Sequence, residues 1–182
     1  LERPGGVLVN RVHPYGAAYQ AGLRVGDVIV SIDGKEVLGP ETLTFRVASS
    51  VIGKVARLEV YREGERITVE MNLQPAPEIP PRANETLTGR HPLSGSVVGN
   101  LSPAYALELG LSAFSEGVVI AGTVKGSVAE RYGLRPRDIL VQVNGQKITT
   151  VEQAKQVLES AQGSWQIAIR RNGRTLSFKV SL

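Results

Sequence analysis

The chain has 182 residues, of which 42% are hydrophobic and 21% charged, so it holds enough apolar material for a core and is not a disordered tail. The absence of cysteine excludes a disulfide framework, a thiolate nucleophile and a cysteine-based zinc site, and no apolar run is long enough to span a membrane. The net charge of +4 sits wholly in the second half: residues 1–75 hold 9 basic and 9 acidic side chains, residues 76–91 hold 2 of each, and residues 92–182 hold 10 and 6. With only 5% aromatic residues to stack bases, that excess reads as a mildly basic surface and not as a nucleic-acid site.

From the N-terminus, Gly6-Val7-Leu8-Val9 is the first apolar stretch, and Val28 to Ile32 alternates as a half-buried strand does. Asp33-Gly34 signals a hairpin, and Pro40, suited to a first helical turn, opens a helix to about Ser49. Strands follow at Leu58 to Tyr61 and Ile67 to Leu73. Pro75-Ala76-Pro77-Glu78-Ile79-Pro80-Pro81 then reads as a semi-rigid spacer, since proline favours extended chain and donates no backbone hydrogen bond. Beyond it come a loop and strand over Pro92 to Asn100 and a short helix around Ala104 to Leu109. Ile139 to Val143, Ile167 to Ile169 and Leu176 to Val180 read as strands, with turn signals at Asn144-Gly145 and Asn172-Gly173. The clearest helix is Val151 to Ala161, capped by Thr149 or Thr150, with Val151, Ala154, Val157, Leu158 and Ala161 on one apolar stripe.

These elements form two copies of one pattern. Gly6-Val7-Leu8-Val9 matches Gly117-Val118-Val119-Ile120 at an offset of 111, and the same offset carries Ala21-Gly22-Leu23 through Val30 onto Tyr132-Gly133-Leu134 through Val141. It still holds at Asp33-Gly34 against Asn144-Gly145, and drops to 109 at Glu63-Gly64 against Asn172-Gly173. The expected organisation is a first domain over 1–74, a proline-rich linker over 75–91 and a second domain over 92–182, mainly β with short helices. The second copy is preceded by a loop, a strand and a helix that the first lacks. The first copy therefore reads as clipped at its N-terminal edge, in a piece of a longer protein.

Catalytic chemistry is not legible. No G-x-S-x-G elbow, phosphate-cradling loop or dinucleotide fingerprint occurs. His13 and His91 are 78 residues apart, carry no metal-ligand spacing, and read as turn and loop residues. No cofactor is expected, and the chain alone is not read as an enzyme.

The doubled punctuation, Gly-Leu, then Asp, then Asp/Asn-Gly at matched spacing, resembles a PDZ domain of the bacterial arrangement. Two such domains joined by a proline-rich link resemble the C-terminal region of HtrA/Deg-type, Do-like serine proteases. That resemblance implies two PDZ-like domains, each a small, partly open β-barrel or sandwich capped by helices. It implies capture of C-terminal or unfolded hydrophobic segments for a trypsin-like protease domain, contacts with that domain and with neighbouring subunits, and a periplasmic or cell-envelope location. Neither nucleic-acid binding nor membrane insertion is implied. A scaffold without protease substrates, and the PDZ pair of a membrane-embedded regulatory protease, stand as alternatives.

Carried onto this sequence, the resemblance assigns the carboxylate loop of the second domain to Leu93, Ser94, Gly95 and Ser96. It assigns the ligand-pairing edge strand to Ser96 through Asn100, with Val97 and Val98 at its centre, and the groove face of the helix to Val151, Lys155 and Leu158. Leu93 and Leu158 then line a pocket for an apolar terminal side chain, and Val151 implies an apolar ligand residue two positions earlier. The matching helix positions of the first domain are Pro40, Thr44 and Val47, but its loop and edge strand are not among these residues, so weak binding is expected there. One departure is Arg137, which stands where the first copy has Gly26.

Overall fold

The computed structural model describes residues 5–161 and 163–181. The chain divides between Pro77 and Glu78 into two units. The first holds β1 (Val7–Leu8), α1 (Ala17–Gln20), β2 (Val28–Ile32), β3 (Lys35–Glu36), α2 (Pro40–Ala48), β4 (Val55–Arg62) and β5 (Glu65–Asn72). The second holds β6 (Glu85–Thr86), β7 (Ser96–Asn100), α3 (Pro103–Glu108), β8 (Val118–Thr123), α4 (Val128–Arg131), β9 (Ile139–Val143), β10 (Gln146–Lys147), α5 (Val151–Ser160), β11 (Ser164–Arg171) and β12 (Arg174–Ser181). The fold is mainly β with short helices, and the sheets of the described residues are open, not closed into barrels.

The first sheet runs β1-β2-β4-β5 with β3 on β2, and the second runs β12-β11-β9-β8-β7-β6 with β10 on β9. The duplication is structural as well as sequential. Val7 faces Ile29 as Val118 faces Leu140, and Leu8 faces Val28 as Val119 faces Ile139. The register slips at Val30 in one unit and at its counterpart Val141 in the other. All four long or short hairpins turn at positive φ on both central residues, for example 49° and 81° at Asn144-Gly145, the geometry whose twist matches paired strands.

Each unit has its own core. Leu23, Ile29, Ile32, Val37, Leu58 and Val60 centre the first. The second packs Leu93, Val98, Ile120, Leu140, Ile148, Leu158, Trp165 and Ile167 under α5. A smaller cluster places Tyr105 and Ala106 of α3 on Val119 and Ile139. Val119 is fully buried there, whereas its counterpart Leu8 is 53% exposed, since α3 and β7 have no equivalent among the described residues of the first unit.

A buried carboxylate closes each sheet. Asp27 accepts the Arg24 amide at 2.8 Å and two bonds from Arg62 at 2.7 Å, while Arg62 also donates to the Gly22 carbonyl. Asp138, Arg135, Arg171 and Gly133 repeat the arrangement, with both Arg171 bonds at 2.6 Å. The bidentate fork answers the carboxylate's two oxygens, which is what allows a charge to be buried at the strand start. Asp27 and Asp138 each stand just before a strand, and the clasps they form follow the offsets of 111 and 109 already present in the sequence.

The expected linker over 75–91 is not free chain. Residues 78–91 belong to the second unit, and Arg82 anchors their start. Its guanidinium bonds Glu78 at 2.9 and 3.1 Å and Glu108 at 2.6 Å, and lies 4.4 Å from the centre of the Tyr105 ring. Proline density marks a stretch that makes no ladder of its own. It does not say whether that stretch packs against a neighbour.

Candidate peptide-binding groove

The residues singled out in the second domain come together around β7 and α5. Ser96–Asn100 is a strand as expected, and α5 runs beside it. Thr150 caps α5, accepting the Gln153 amide, and the stripe Val151, Ala154, Val157 and Leu158 is buried. Leu93 is wholly buried and Leu158 nearly so, both in the main core cluster with Trp165, whose indole N–H donates to the Leu158 carbonyl at 3.3 Å. Val98 also faces this core, while Ser94, Val97 and Lys155 are half-buried.

The loop from His91 to Ser96 winds tightly before β7. Gly95 has φ +87°, and a Cβ there would meet the Ser127 Cβ at 2.2 Å, so glycine is required both by conformation and by space. The Ser94 amide donates to the His91 carbonyl and the Ser96 amide to the Leu93 carbonyl. Of these three amides, the Gly95 N–H is the one that points to the groove, where it donates to the Leu87 carbonyl at 2.8 Å. The Ser96 hydroxyl is buried without a hydrogen-bond partner.

β7 is not the sheet edge that was expected. β6 lies outside it, antiparallel, with Glu85 opposite Val98 and Thr86 opposite Val97. The Leu87 amide donates to the Ser96 carbonyl at 2.8 Å, and the Asn100 amide to the Arg82 carbonyl at 2.6 Å, so residues 82–87 follow the strand throughout. Leu87 is 3% exposed and belongs to the same apolar cluster as Leu93 and Leu158. Two residues earlier Glu85, not an apolar side chain, pairs with Lys155 of α5 at 3.2 Å. Glycine at 99 makes room: a Cβ there would meet Asn84 Oδ1 at 2.2 Å and the Arg82 carbonyl at 3.3 Å. A glycine inside a strand marks close approach by another chain, and this was the signal in the sequence that went unread.

His91 lies in a loop, as expected, but is buried. Its Nε2 is 3.0 Å from the Thr88 carbonyl, its Nδ1 has no partner, and burial holds its pKa below the ordinary 6.5. Beside it Arg90, His91, Leu158, Glu159 and Trp165 line an open depression of about 600 Å³ at the end of the groove. Lys155 is held above its usual pKa by the hydrogen bond to Glu85.

In the first unit Pro40 and Thr44 are exposed and Val47 is half-buried, on a helix that buries no residue fully. Among the described residues, β1 pairs with β2 alone, so no strand stands where β7 stands in the second unit. No group of three or more His, Cys, Asp or Glu side chains gathers among the described residues, and no described helix is long and apolar enough to cross a membrane.

The PDZ domain family is matched twice, over residues 2–73 and over residues 119–171. The "Probable periplasmic serine endoprotease DegP-like" of Pseudomonas fulva is 33% identical over 190 residues, covering 100% of this chain and 39% of that protein. A protein of the same description from Chlamydia muridarum is 31% identical over 180 residues, covering 99% and 35%. The periplasmic serine endoprotease DegP of Salmonella typhimurium is 25% identical over 171 residues, covering 94% and 33%. The chain thus spans between 33% and 39% of the length of these relatives. Among solved structures, the HtrA3 PDZ domain bound to a phage-derived ligand covers 48% of this chain at 21% identity and TM-score 0.42. The HtrA-type protease AlgW with a decapeptide covers 85% at 16% identity and TM-score 0.44.

Proposed function

The chain belongs to the PDZ-domain family, and from that premise we propose that it is the peptide-capturing part of a periplasmic serine endoprotease active in protein quality control. The hydrolytic machinery lies outside these residues, which form PDZ domains and not a protease domain. One observation carries the proposal: β7 accepts an extended segment in antiparallel pairing, beside α5, with a loop amide directed at that segment's last paired carbonyl.

Such a groove binds by adding a strand to a sheet. Backbone N–H and C=O groups of β7 supply affinity whatever the ligand's side chains, and the pocket formed by Leu93, Leu158 and their neighbours selects an apolar residue at the loop end. Tethering an unfolded chain this way raises its concentration at an attached catalytic site without any new catalytic contact. The second unit carries this role. Pro40, Thr44 and Val47 in the first unit contribute little to it, and contacts with the protease domain or with neighbouring subunits fall to surfaces outside the groove.

The test is a fluorescence titration of the chain with peptides ending in apolar residues, alongside a hydrolysis assay on casein. Saturable binding that depends on the loop-end apolar residue, with no cleavage, is the expected result. Absence of binding across the set, or cleavage that survives further purification, refutes the proposal.

A further inference from the structure

The pairing of residues 82–87 with β7 says more about the groove than that a strand fits there. This inference rests on the peptide-capture role proposed above. We propose that Asn84–Leu87 is a resident pseudo-ligand, and that external ligands are extended peptides with an acidic residue two positions before a leucine-like one, which bind by displacing it.

Five contacts distinguish this segment from a linker that merely passes by. Leu87 fills the apolar pocket at the loop end of the groove, and its carbonyl takes the one loop amide directed into it. Its own amide donates to Ser96, so the residue is held by main chain on both sides. Glu85 reaches Lys155, the polar side chain among the three groove positions of α5. Asn84 lies over Gly99, where any side chain would push it away. Depth, polarity and fit therefore vary along the segment as they would for a bound peptide: apolar at 87, acidic at 85, close backbone approach at 84.

Two consequences follow. The sequence of the segment displays the groove's preference: Lys155 selects a carboxylate at the position where Val151 had implied an apolar residue. The resident also lowers apparent affinity, because a peptide binds only the fraction of molecules whose groove is open. A groove open about one-tenth of the time costs a ligand about tenfold in apparent affinity.

The experiment uses the full chain and a labelled octapeptide ending in Glu-Thr-Leu, with a Lys-Thr-Leu peptide for comparison. Leu87→Ser empties the pocket and Glu85→Lys turns the contact with Lys155 repulsive; both change the resident and leave β7 and α5 intact. Leu87→Ser is expected to bind the acidic peptide about tenfold more tightly than the unaltered chain. Glu85→Lys gains on the order of threefold, as suits a half-exposed ion pair. Lys155→Glu inverts the preference between the two peptides. Hydrogen exchange supplies a direct readout: saturating peptide strips protection from the Leu87 amide while the β7 amides keep theirs. Equal affinity in the unaltered chain and both segment variants overturns the pseudo-ligand and leaves peptide capture standing. No binding to any of them, with Leu87→Ser still folded by circular dichroism, overturns both.

Discussion

The side chain of Asn100, at the end of β7, accepts the amide of Val151, the first residue of α5, at 2.7 Å. The same side chain donates to the Pro81 carbonyl at 2.9 Å. One buried amide thus fixes the end of the groove, tying strand to helix and the incoming segment to both. Thr150 cannot substitute, because its hydroxyl already serves the Gln153 amide. Asn100→Leu leaves the Val151 amide and the Pro81 carbonyl unpaired, an expected loss of about 1–3 kcal/mol in urea unfolding. Asn100→Asp keeps the acceptor and should lose less. If the two variants unfold at the same urea midpoint, the bond to Val151 is not what matters.

Gly95 and Gly26 both have positive φ but differ in their surroundings. A Cβ at Gly26 meets nothing within 4 Å, so Gly26→Ala should cost only the conformational term, about 1 kcal/mol. Gly95→Ala adds the collision with Ser127 and should cost about 2 kcal/mol or more, with loss of peptide binding from the displaced loop. Arg137, at φ +75° where the first unit has Gly26, shows that a side chain is tolerated at this turn; its guanidinium recovers a bond to the Gly110 carbonyl at 3.0 Å. Thermal melts of the two alanine variants check the order.

Two buried groups give the chain two separate acid sensitivities. His91, its pKa lowered by burial, takes up a proton more readily in the unfolded chain than in the folded one. Its contribution is therefore intact above pH 6.5 and is lost as pH falls from there through the folded pKa. Asp27 responds in a lower window. The Arg62 hydrogen bonds hold its carboxyl below 3.8, so its contribution is intact above that value and fades as pH falls further. Melting temperature between pH 7 and 5 should drop in the unaltered chain and less in His91→Phe. Asp27→Asn should lower the melting temperature at neutral pH, since the amide keeps one acceptor but removes the charge that the Arg62 fork answers. A parallel pH profile in the His91→Phe chain would assign the sensitivity elsewhere.

The loop before β7 offers a ligand one amide, from Gly95, because those of Ser94 and Ser96 are spent on His91 and Leu93. What Gly95 holds is a neutral carbonyl, that of Leu87, in mid-chain. Amidating the C-terminus of a bound peptide should therefore weaken it by less than about tenfold, the scale of one good charge-assisted bond. A loss of a hundredfold or more would mean that the loop rearranges into a full carboxylate cradle.

What could be read from sequence was what repeats or alternates locally. The offset of 111 placed both sheets, and Thr150 and the stripe from Val151 to Leu158 placed α5 within a residue. The loop at Leu93–Ser96 and the strand to Asn100 were also found, because Gly95 and the valines mark them. The short helices at Ala17–Gln20 and Val128–Arg131 were missed, being too short to show a period. Residues 78–88 were misjudged for a different reason: Glu85–Thr86 is a two-residue strand whose pairing lies ten residues or more away, and proline-rich composition hides it. Lone Leu87 among polar neighbours and Gly99 in mid-strand were the visible traces. Position 85 meets Lys155, one turn along the helix from Val151, a pairing that the apolar stripe of α5 does not display.

The seating of residues 84–87 on β7 lies between two fixed points. Arg82, tied to Glu78 and Glu108, holds its start, and the buried His91 holds its end. A peptide that takes its place leaves a short loop pinned at both ends, which stays beside the groove as a competitor at high local concentration.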